Sequence, residues 1–117
     1  MTLIARLETE LKEAMKERDA GRRDALRLIL NALRAAEKEI QRPLHEDEEL
    51  QVLQRERKRR LEAIEAYRAA GREEQAEKEE DELDVLEDFM PEPLSEEDVI
   101  SLLKETLDAE EVKETDE

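Results

Sequence analysis

The 117-residue sequence lacks cysteine altogether and contains only two glycines, three prolines and two aromatic residues. The absence of cysteine excludes disulfide bonds and thiol chemistry, and it gives no sign of a secretory context. So few glycines and prolines cannot supply the turns of a β-rich protein. Charged residues make up 48% of the chain, which is typical of long amphipathic helices. We therefore expect an all-α fold, an antiparallel bundle of two helical hairpins with a short C-terminal helix.

Long apolar runs are also missing. The opening sequence, MTLIARLETELKEAMK, contains no uninterrupted apolar stretch of the length that a signal peptide or a transmembrane helix needs. We therefore expect a cytoplasmic protein that does not use a membrane as its partner.

The net charge of −16 is unevenly distributed along the chain. Residues 1–70 hold 16 basic and 15 acidic residues, whereas residues 71–117 hold 4 basic and 21 acidic ones. The C-terminal part therefore repels polyanions, while the N-terminal part can still present a basic face.

Apolar residues at helical spacing predict five helices: four over about residues 3–19, 22–41, 72–90 and 96–107, and helix 3, which begins within RPLHEDEE after Pro43 and runs to about residue 70. The expected N-caps are Thr2 for helix 1 and Ser95 for helix 5. For helix 3 the cap is His45 or Asp47, of which Asp47 is the better capping type. Ala20 and Gly21 are expected to interrupt the first two helices. Helix 2 carries a broad apolar stripe and is the candidate for the central helix.

Two further residues mark the ends of helices. Gly71 can adopt the positive φ that closes a helix, and Pro91 removes a backbone donor and so ends helix 4. The expected organisation is a helical bundle over residues 1–92, a short helix over 93–107 that is the remnant or start of a second helical module, and an acidic disordered tail over 108–117.

Helix 3 places two arginines in its expected apolar seam. Folding the chain back at Gly71 puts Arg60 opposite Glu79 and Glu82, and Arg57 opposite Glu82 and Glu87. Because an unpaired half-buried guanidinium is strongly destabilising, we expect carboxylates of helix 4 to pair with both arginines and to set the register of this hairpin. Tyr67 and Phe89 are expected to anchor its core.

The basic run RERKRR, residues 55–60, is the one stretch that indicates a polyanion partner. Helical spacing places Arg55, Lys58 and Arg59 on the outward side, where they can contact phosphates. The arginines of helix 2 are candidates to extend this patch: Arg22, Arg23, Arg27 and Arg34. No aromatic residue interleaves with them, so base stacking is not expected. The alternative interpretation is a solubilising face with intrahelical ion pairs.

The sequence lacks the residues and motifs that most enzyme mechanisms need. The chain has neither a phosphate-binding GxxxxGK loop nor a GxGxxG turn. One histidine without cysteine does not form the usual zinc sites or a Cys–His pair. His45 is interpreted as exposed or capping, and the acidic run from Glu73 to Asp88 as a solvated helix face. We therefore expect no catalytic residue, no metal site and no cofactor.

The sequences of three stretches, from the first two helices, helix 3 and the region around helix 4, together resemble those of a known family. AYRAAGREEQAEKEEDELDVLEDFMPEPLSEEDV (residues 66–99) resembles the YqeY-like, or GatB/YqeY, family. The resemblance continues through HEDEELQVLQRERKRRLEAIEAYRAAGR and back to the first two helices, and it covers about residues 1–100. It implies a small helical protein similar to the tail of the B subunit of the glutamine-dependent aspartyl/glutamyl-tRNA amidotransferase, a tail that helps to engage tRNA. The implied function is a non-catalytic accessory role in aminoacyl-tRNA metabolism, with tRNA or a protein of that pathway as partner.

Two other functions stay open. One is a protein–protein interaction module or homo-oligomeric helical scaffold. The other is the carbon–nitrogen ligase activity, with glutamine as amide donor, that the family association suggests; the amide-transfer machinery of the larger enzyme lies outside the tail. Members of the family usually continue into a second helical module rich in Gly, Lys and Met. This chain continues with one predicted helix and an acidic end, so that module is expected to be absent or shortened.

Overall fold

The computed structural model describes residues 2–91 and residue 104. Over these residues the chain forms four α-helices and no β-strand: α1 (Leu3–Lys16), α2 (Ala20–Ile40), α3 (Glu46–Ala69) and α4 (Glu73–Glu87). The prediction of an all-α helical bundle is confirmed. None of the described helices is both long and apolar enough to cross a lipid bilayer. The expected fifth helix with its cap Ser95, and the acidic tail, lie outside the described residues.

The α1–α2 link lies before the glycine rather than at it. Thr2 caps α1 as expected, because its hydroxyl accepts the Ala5 N–H at 3.1 Å. The chain turns at Arg18, which has a φ of 58°. Asp19 then caps α2 by accepting the Arg22 N–H at 3.1 Å. The predicted break at Ala20 and Gly21 is therefore wrong, since this cap places Gly21 inside the first turn of α2.

The link between α2 and α3 is held by Glu48. This carboxylate accepts two hydrogen bonds from Arg42, at 2.7 and 2.9 Å, and a third from the backbone N–H of His45 at 3.0 Å. The bonds from Arg42 are the main reason why the pKa of Glu48 falls to about 2. His45 is the N-cap of α3. The preference for Asp47 is thus wrong; Asp47 lies in the first turn, where an acid still suits the helix dipole.

The corner between α3 and α4 forms as predicted at Gly71, which has a φ of 72°. There the Arg72 N–H donates to the carbonyl of Tyr67 at 2.8 Å and closes the end of α3. At its other end α4 stops at Glu87, three residues before the predicted Met90. The N–H groups of Phe89 and Met90 each bond the carbonyl three residues earlier, both at 3.1 Å. The helix therefore tightens into a turn before Pro91.

Helix α2 is the centre of the bundle, because it contacts each of the other three described helices. Its buried residues lie on one broad stripe, which matches the interpretation of helix 2 as the central helix. The core is aliphatic apart from one ring, and its buried apolar side chains are Leu7, Ala14, Ala25, Leu26, Ile29, Leu30, Leu33, Val52, Leu53, Ile64, Ala76, Leu83, Leu86 and Phe89.

Candidate functional site

A groove of about 410 Å³ runs between α2 and α3. Small side chains form its α2 wall: Ala32, Ala35 and Ala36. Val52 lies at its base, and the α3 wall carries Arg55, Lys58 and Arg59. The three outward basic residues predicted from RERKRR thus lie together along one side of a concave surface.

Two of these cations have no carboxylate partner within the part of the chain that the structure describes. Neither Arg55 nor Lys58 lies within 4.0 Å of a described carboxylate, whereas Arg59 is 3.5 Å from Glu56 and its side chain is 79% exposed. Beside the groove, Gln51 and Gln54 continue the same α3 face and add hydrogen-bonding groups without charge. A phosphate oxygen approaching this face meets donors and positive charge.

Three carboxylates also line the groove and limit its positive charge: Glu39, Glu56 and Glu62. Glu56 accepts a 2.7 Å hydrogen bond from the buried Arg60 behind it, so an internal cation neutralises it. Glu39 and Glu62 lie on the walls without such a partner among the described residues. The positive charge of the groove therefore comes from Arg55, Lys58 and Arg59 on the α3 wall, and Glu39 and Glu62 oppose it.

The arginines of helix 2 that were expected to extend the patch do not line the groove. Arg34 donates to Glu8 of α1 at 2.6 Å, and Arg27 contacts the sulfur of Met15. Both therefore lie on the α1 side of α2, away from the groove. Arg22 pairs with Glu10 and Asp88, and Arg23 pairs with Asp24. Sequence spacing identified arginines on helix 2 but not which neighbouring helix each one faces.

A comparison with known protein families identifies the family of this chain. A family model described as Yqey-like protein matches residues 4–117. This chain belongs to the YqeY-like family. The match also covers residues beyond 100, where the quoted motifs end. A comparison with curated proteins found no match.

The two seam arginines of this YqeY-like chain take different positions. Arg57 is half exposed at 48% and pairs with Glu87 of α4 at 3.3 Å, so the prediction that it points into the seam is wrong although its partner is one of those expected. Arg60 is buried, with 7% of its side chain exposed. Its Nε lies 3.8 Å from Glu82, and its Nη1 bonds Glu56 at 2.7 Å. The closest partner of Arg60 is thus on its own helix, one turn earlier, and the sequence interpretation missed it.

Both aromatic residues pack at the core. Phe89 is 7% exposed, and the guanidinium of Arg6 lies 4.6 Å above its ring centre. Phe89 therefore joins the end of α4 to α1, in addition to the α3–α4 hairpin that it was expected to anchor. Tyr67 is partly buried against the same core. At the corner next to it, Arg68 pairs with Glu73 and Glu80 and ties α3 to α4.

No group of three metal-ligating side chains gathers anywhere in residues 2–91. His45 is exposed and is the N-cap of α3, so it fits both interpretations expected for it. The acidic face of α4 contains one buried member, Glu82, whose pKa is raised mainly by burial and further by the charge of Glu79. Sequence analysis missed Val52 and the alanine wall of the groove, because it assigned α3 a single apolar face.

Proposed function

We propose that this YqeY-like protein is a non-catalytic accessory protein of aminoacyl-tRNA metabolism that contacts tRNA through Arg55, Lys58 and Arg59. The observation that carries the proposal is that these three cations lie together on the α3 wall of the groove. Two of them, Arg55 and Lys58, have no carboxylate of the described residues within 4.0 Å. The resemblance of the family to the tail of the amidotransferase B subunit, which helps to engage tRNA, is the reason for proposing tRNA as the polyanion.

Such a surface binds phosphates rather than bases. No aromatic side chain lines the groove, so the stacking that supports sequence-specific RNA recognition is missing there. About three phosphate contacts give weak binding with a log–log salt slope of about −2 to −3. The shape and charge of folded tRNA therefore matter more than its sequence.

A gel-shift titration with tRNA at low and moderate salt tests the proposal. The key variant is the triple substitution Arg55→Ala, Lys58→Ala and Arg59→Ala. Its control removes three exposed cations outside the groove, through Lys12→Ala, Lys16→Ala and Lys38→Ala, and so changes the net charge equally. The groove variant should lose binding and flatten the salt slope by about 2 to 3, while the control keeps most of its affinity. Unchanged tRNA mobility with micromolar wild-type protein at low salt, or equal loss in both variants, contradicts the proposal.

A protein–protein interaction module is the second candidate function. It is favoured by the apolar α2 wall of the groove, where Ala35 is exposed, and by Leu28, which lies two turns earlier on α2, outside the groove lining, and is 43% exposed. A helix from another protein could pack on this face. Sedimentation and a pull-down from cell lysate with and without ribonuclease distinguish the two: a partner retained after ribonuclease treatment supports the interaction module, and one lost with RNA supports tRNA binding.

A further inference from the structure

A second surface lies beside the groove, on the exposed side of α3. It is a shallow depression of about 380 Å³ that is lined by Gln51, Gln54, Arg55 and Lys58. These residues follow one another at positions i, i+3, i+4 and i+7, so they form one face over two helical turns, about 11 Å long. We refer to these four residues as the amide–cation face. Unlike the groove, this face is lined by no carboxylate of the described residues.

The polar groups of the amide–cation face are left for an external ligand. All four side chains are exposed. Within residues 2–91, neither Gln51 nor Gln54 takes part in a side-chain hydrogen bond, and the two cations have no carboxylate within 4.0 Å. Helical spacing places Asp47 one turn before this face and Glu62 one turn after it. A polyanion is therefore attracted over these two turns and repelled beyond them.

The composition of the face favours a ligand that offers hydroxyl groups as well as negative charge. Arginine and lysine attract phosphates, which only accept hydrogen bonds. A carboxamide both donates and accepts, so it matches a hydroxyl, which does the same. No apolar residue of the described chain lines the face, so it does not suit the apolar side of a partner helix. The backbone of RNA offers a phosphate and a 2′-hydroxyl at every nucleotide, and this hydroxyl distinguishes it from DNA.

The position of α3 in the bundle determines which nucleic-acid surface it can meet. Helix α3 contacts both α2 and α4, so its exposed face belongs to a broad surface and does not stand clear of the molecule. A helix about 10–12 Å across enters the B-DNA major groove, about 12 Å wide, only without such neighbours. The minor groove of A-form RNA is wide and shallow and displays the 2′-hydroxyls. A broad face with carboxamides and cations therefore fits this groove best.

We propose that the amide–cation face binds the backbone of base-paired RNA across its minor groove. The carboxamides of Gln51 and Gln54 contact 2′-hydroxyls, and the side chains of Arg55 and Lys58 contact phosphates. This inference rests on the proposed function, because it specifies that the protein contacts a helical stem of the tRNA. It also makes the protein prefer RNA to DNA, which phosphate contacts by themselves do not.

Fluorescence anisotropy titrations of the full chain at low salt test the proposal, with an RNA duplex and the DNA duplex of the same sequence as probes. One hydrogen bond changes affinity by about 2- to 10-fold, so the wild type should bind the RNA duplex about tenfold more tightly. The double variant Gln51→Ala and Gln54→Ala should lose this preference but keep its salt slope, since no charge is removed. The control variant Asn31→Ala and Gln75→Ala removes two exposed carboxamides elsewhere and should keep the preference.

The cations of the face should behave in the opposite way. The double variant Arg55→Ala and Lys58→Ala should weaken the binding of both duplexes equally and flatten the salt slope by about 2. Its ratio of RNA affinity to DNA affinity should stay that of the wild type. A cation variant that changes this ratio, together with a glutamine variant that does not, overturns the assignment of the two roles.

Three further results overturn the proposal. The first is equal affinity of the wild type for the two duplexes, and the second is tighter binding of single-stranded RNA of the same sequence. The third is displacement of the RNA duplex by polyglutamate as efficiently as by unlabelled RNA at equal charge, which makes an acidic protein segment the ligand.

The same titrations separate this inference from the proposed function. If tRNA binds but the preference for RNA does not depend on Gln51 and Gln54, the proposed function stands and this inference falls alone. If neither tRNA nor the RNA duplex binds at low salt, both fall together.

Discussion

Arg60 of α3 and Glu82 of α4 form an ion pair across the helical hairpin, with Nε and the carboxylate 3.8 Å apart and with 7% and 11% of the two side chains exposed. Glu56 completes the group by bonding the other end of the guanidinium. Within the described residues the Nε of Arg60 has no hydrogen-bond partner. A buried charge group of this kind stabilises little by itself, but it strongly disfavours any arrangement that separates the charges. It therefore acts mainly on the register of α3 against α4.

Removing the cation tests this role. Arg60→Ala should destabilise the fold by about 3 kcal/mol, because it leaves two carboxylates near the core without their cation. Arg57→Ala is the matched control, since its pair with Glu87 is half exposed and is worth less than about 1 kcal/mol. Urea unfolding followed by circular dichroism measures both. Equal losses in the two variants would contradict the register role of Arg60.

The pH dependence of stability should separate two glutamates with opposite pKa shifts. Burial raises the pKa of Glu82 above 4.5, so its protonated form favours the folded state. Its contribution is fully present below pH 4.5 and is lost as the pH rises through the folded pKa. Glu82→Gln should therefore gain stability relative to wild type as the pH rises from 4.5 to 7. A free-energy difference that stays constant over this range would show that the carboxyl is not shifted.

Glu48 should behave in the reverse way. Hydrogen bonds from Arg42 lower its pKa from 4.5 to about 2, so its contribution is present above pH 4.5 and disappears as the pH falls towards 2. Glu48→Gln should be less stable than wild type at pH 7, and the difference should vanish near pH 2. Denaturant midpoints of the two proteins at matched pH values provide the measurement. A deficit that persists at pH 2 would show that the carboxylate charge is not its cause.

The two glycines should respond oppositely to alanine. Gly71 has a φ of 72°, and an added Cβ meets no atom within 4 Å, so Gly71→Ala costs about 1 kcal/mol through backbone strain alone. Gly21 lies in the first turn of α2 without a left-handed φ, and an added Cβ there has ordinary contact with Asp19 at 3.9 Å. Gly21→Ala should stabilise by up to about 1 kcal/mol. Thermal melts measure both effects, and a loss of stability in both variants would show that Gly21 does not lie in the first turn of α2.

Leu86 of α4 belongs to the common core of the bundle, and its side chain is completely buried. Leu86→Ala should destabilise by about 2–5 kcal/mol, since it leaves a cavity in the core. Leu61→Ala removes the same atoms from a leucine that is 46% exposed and should cost much less. Urea midpoints give the comparison. A Leu86 variant as stable as the Leu61 variant would mean that α4 is not held by this core.

Structural features that depend on residues close together in the sequence could be predicted from the sequence. Thr2 caps α1 and Gly71 closes α3, in both cases through bonds to residues within five positions. The expected partners Glu87 for Arg57 and Glu82 for Arg60 also follow from folding one hairpin at Gly71. The α1–α2 link was misplaced because Asp19 competes with Gly21 as a helix boundary, and a side-chain cap defines the start of a helix more strongly than a glycine does.

Features governed by two helices at once could not be predicted in this way. Helix α3 contacts α4 on one side and α2 on another, so its buried residues include Val52 as well as Leu53, Arg60 and Ile64. An interpretation with one inward face placed Arg57 inside and overlooked Val52. The sequence also could not show that Arg27 and Arg34 face α1, because α2 is surrounded by three helices and each side of it has a different neighbour.

The amino-acid sequence by itself determined the helical class, the turn at Gly71, the cap at Thr2 and the outward position of Arg55, Lys58 and Arg59, since each depends on backbone and side-chain preferences within a few residues. The tertiary structure alone decided that Arg60 is the buried arginine of RERKRR and that a groove opens beside Val52. Both depend on how α3 lies against α2 and α4, a packing that joins residues far apart in the chain.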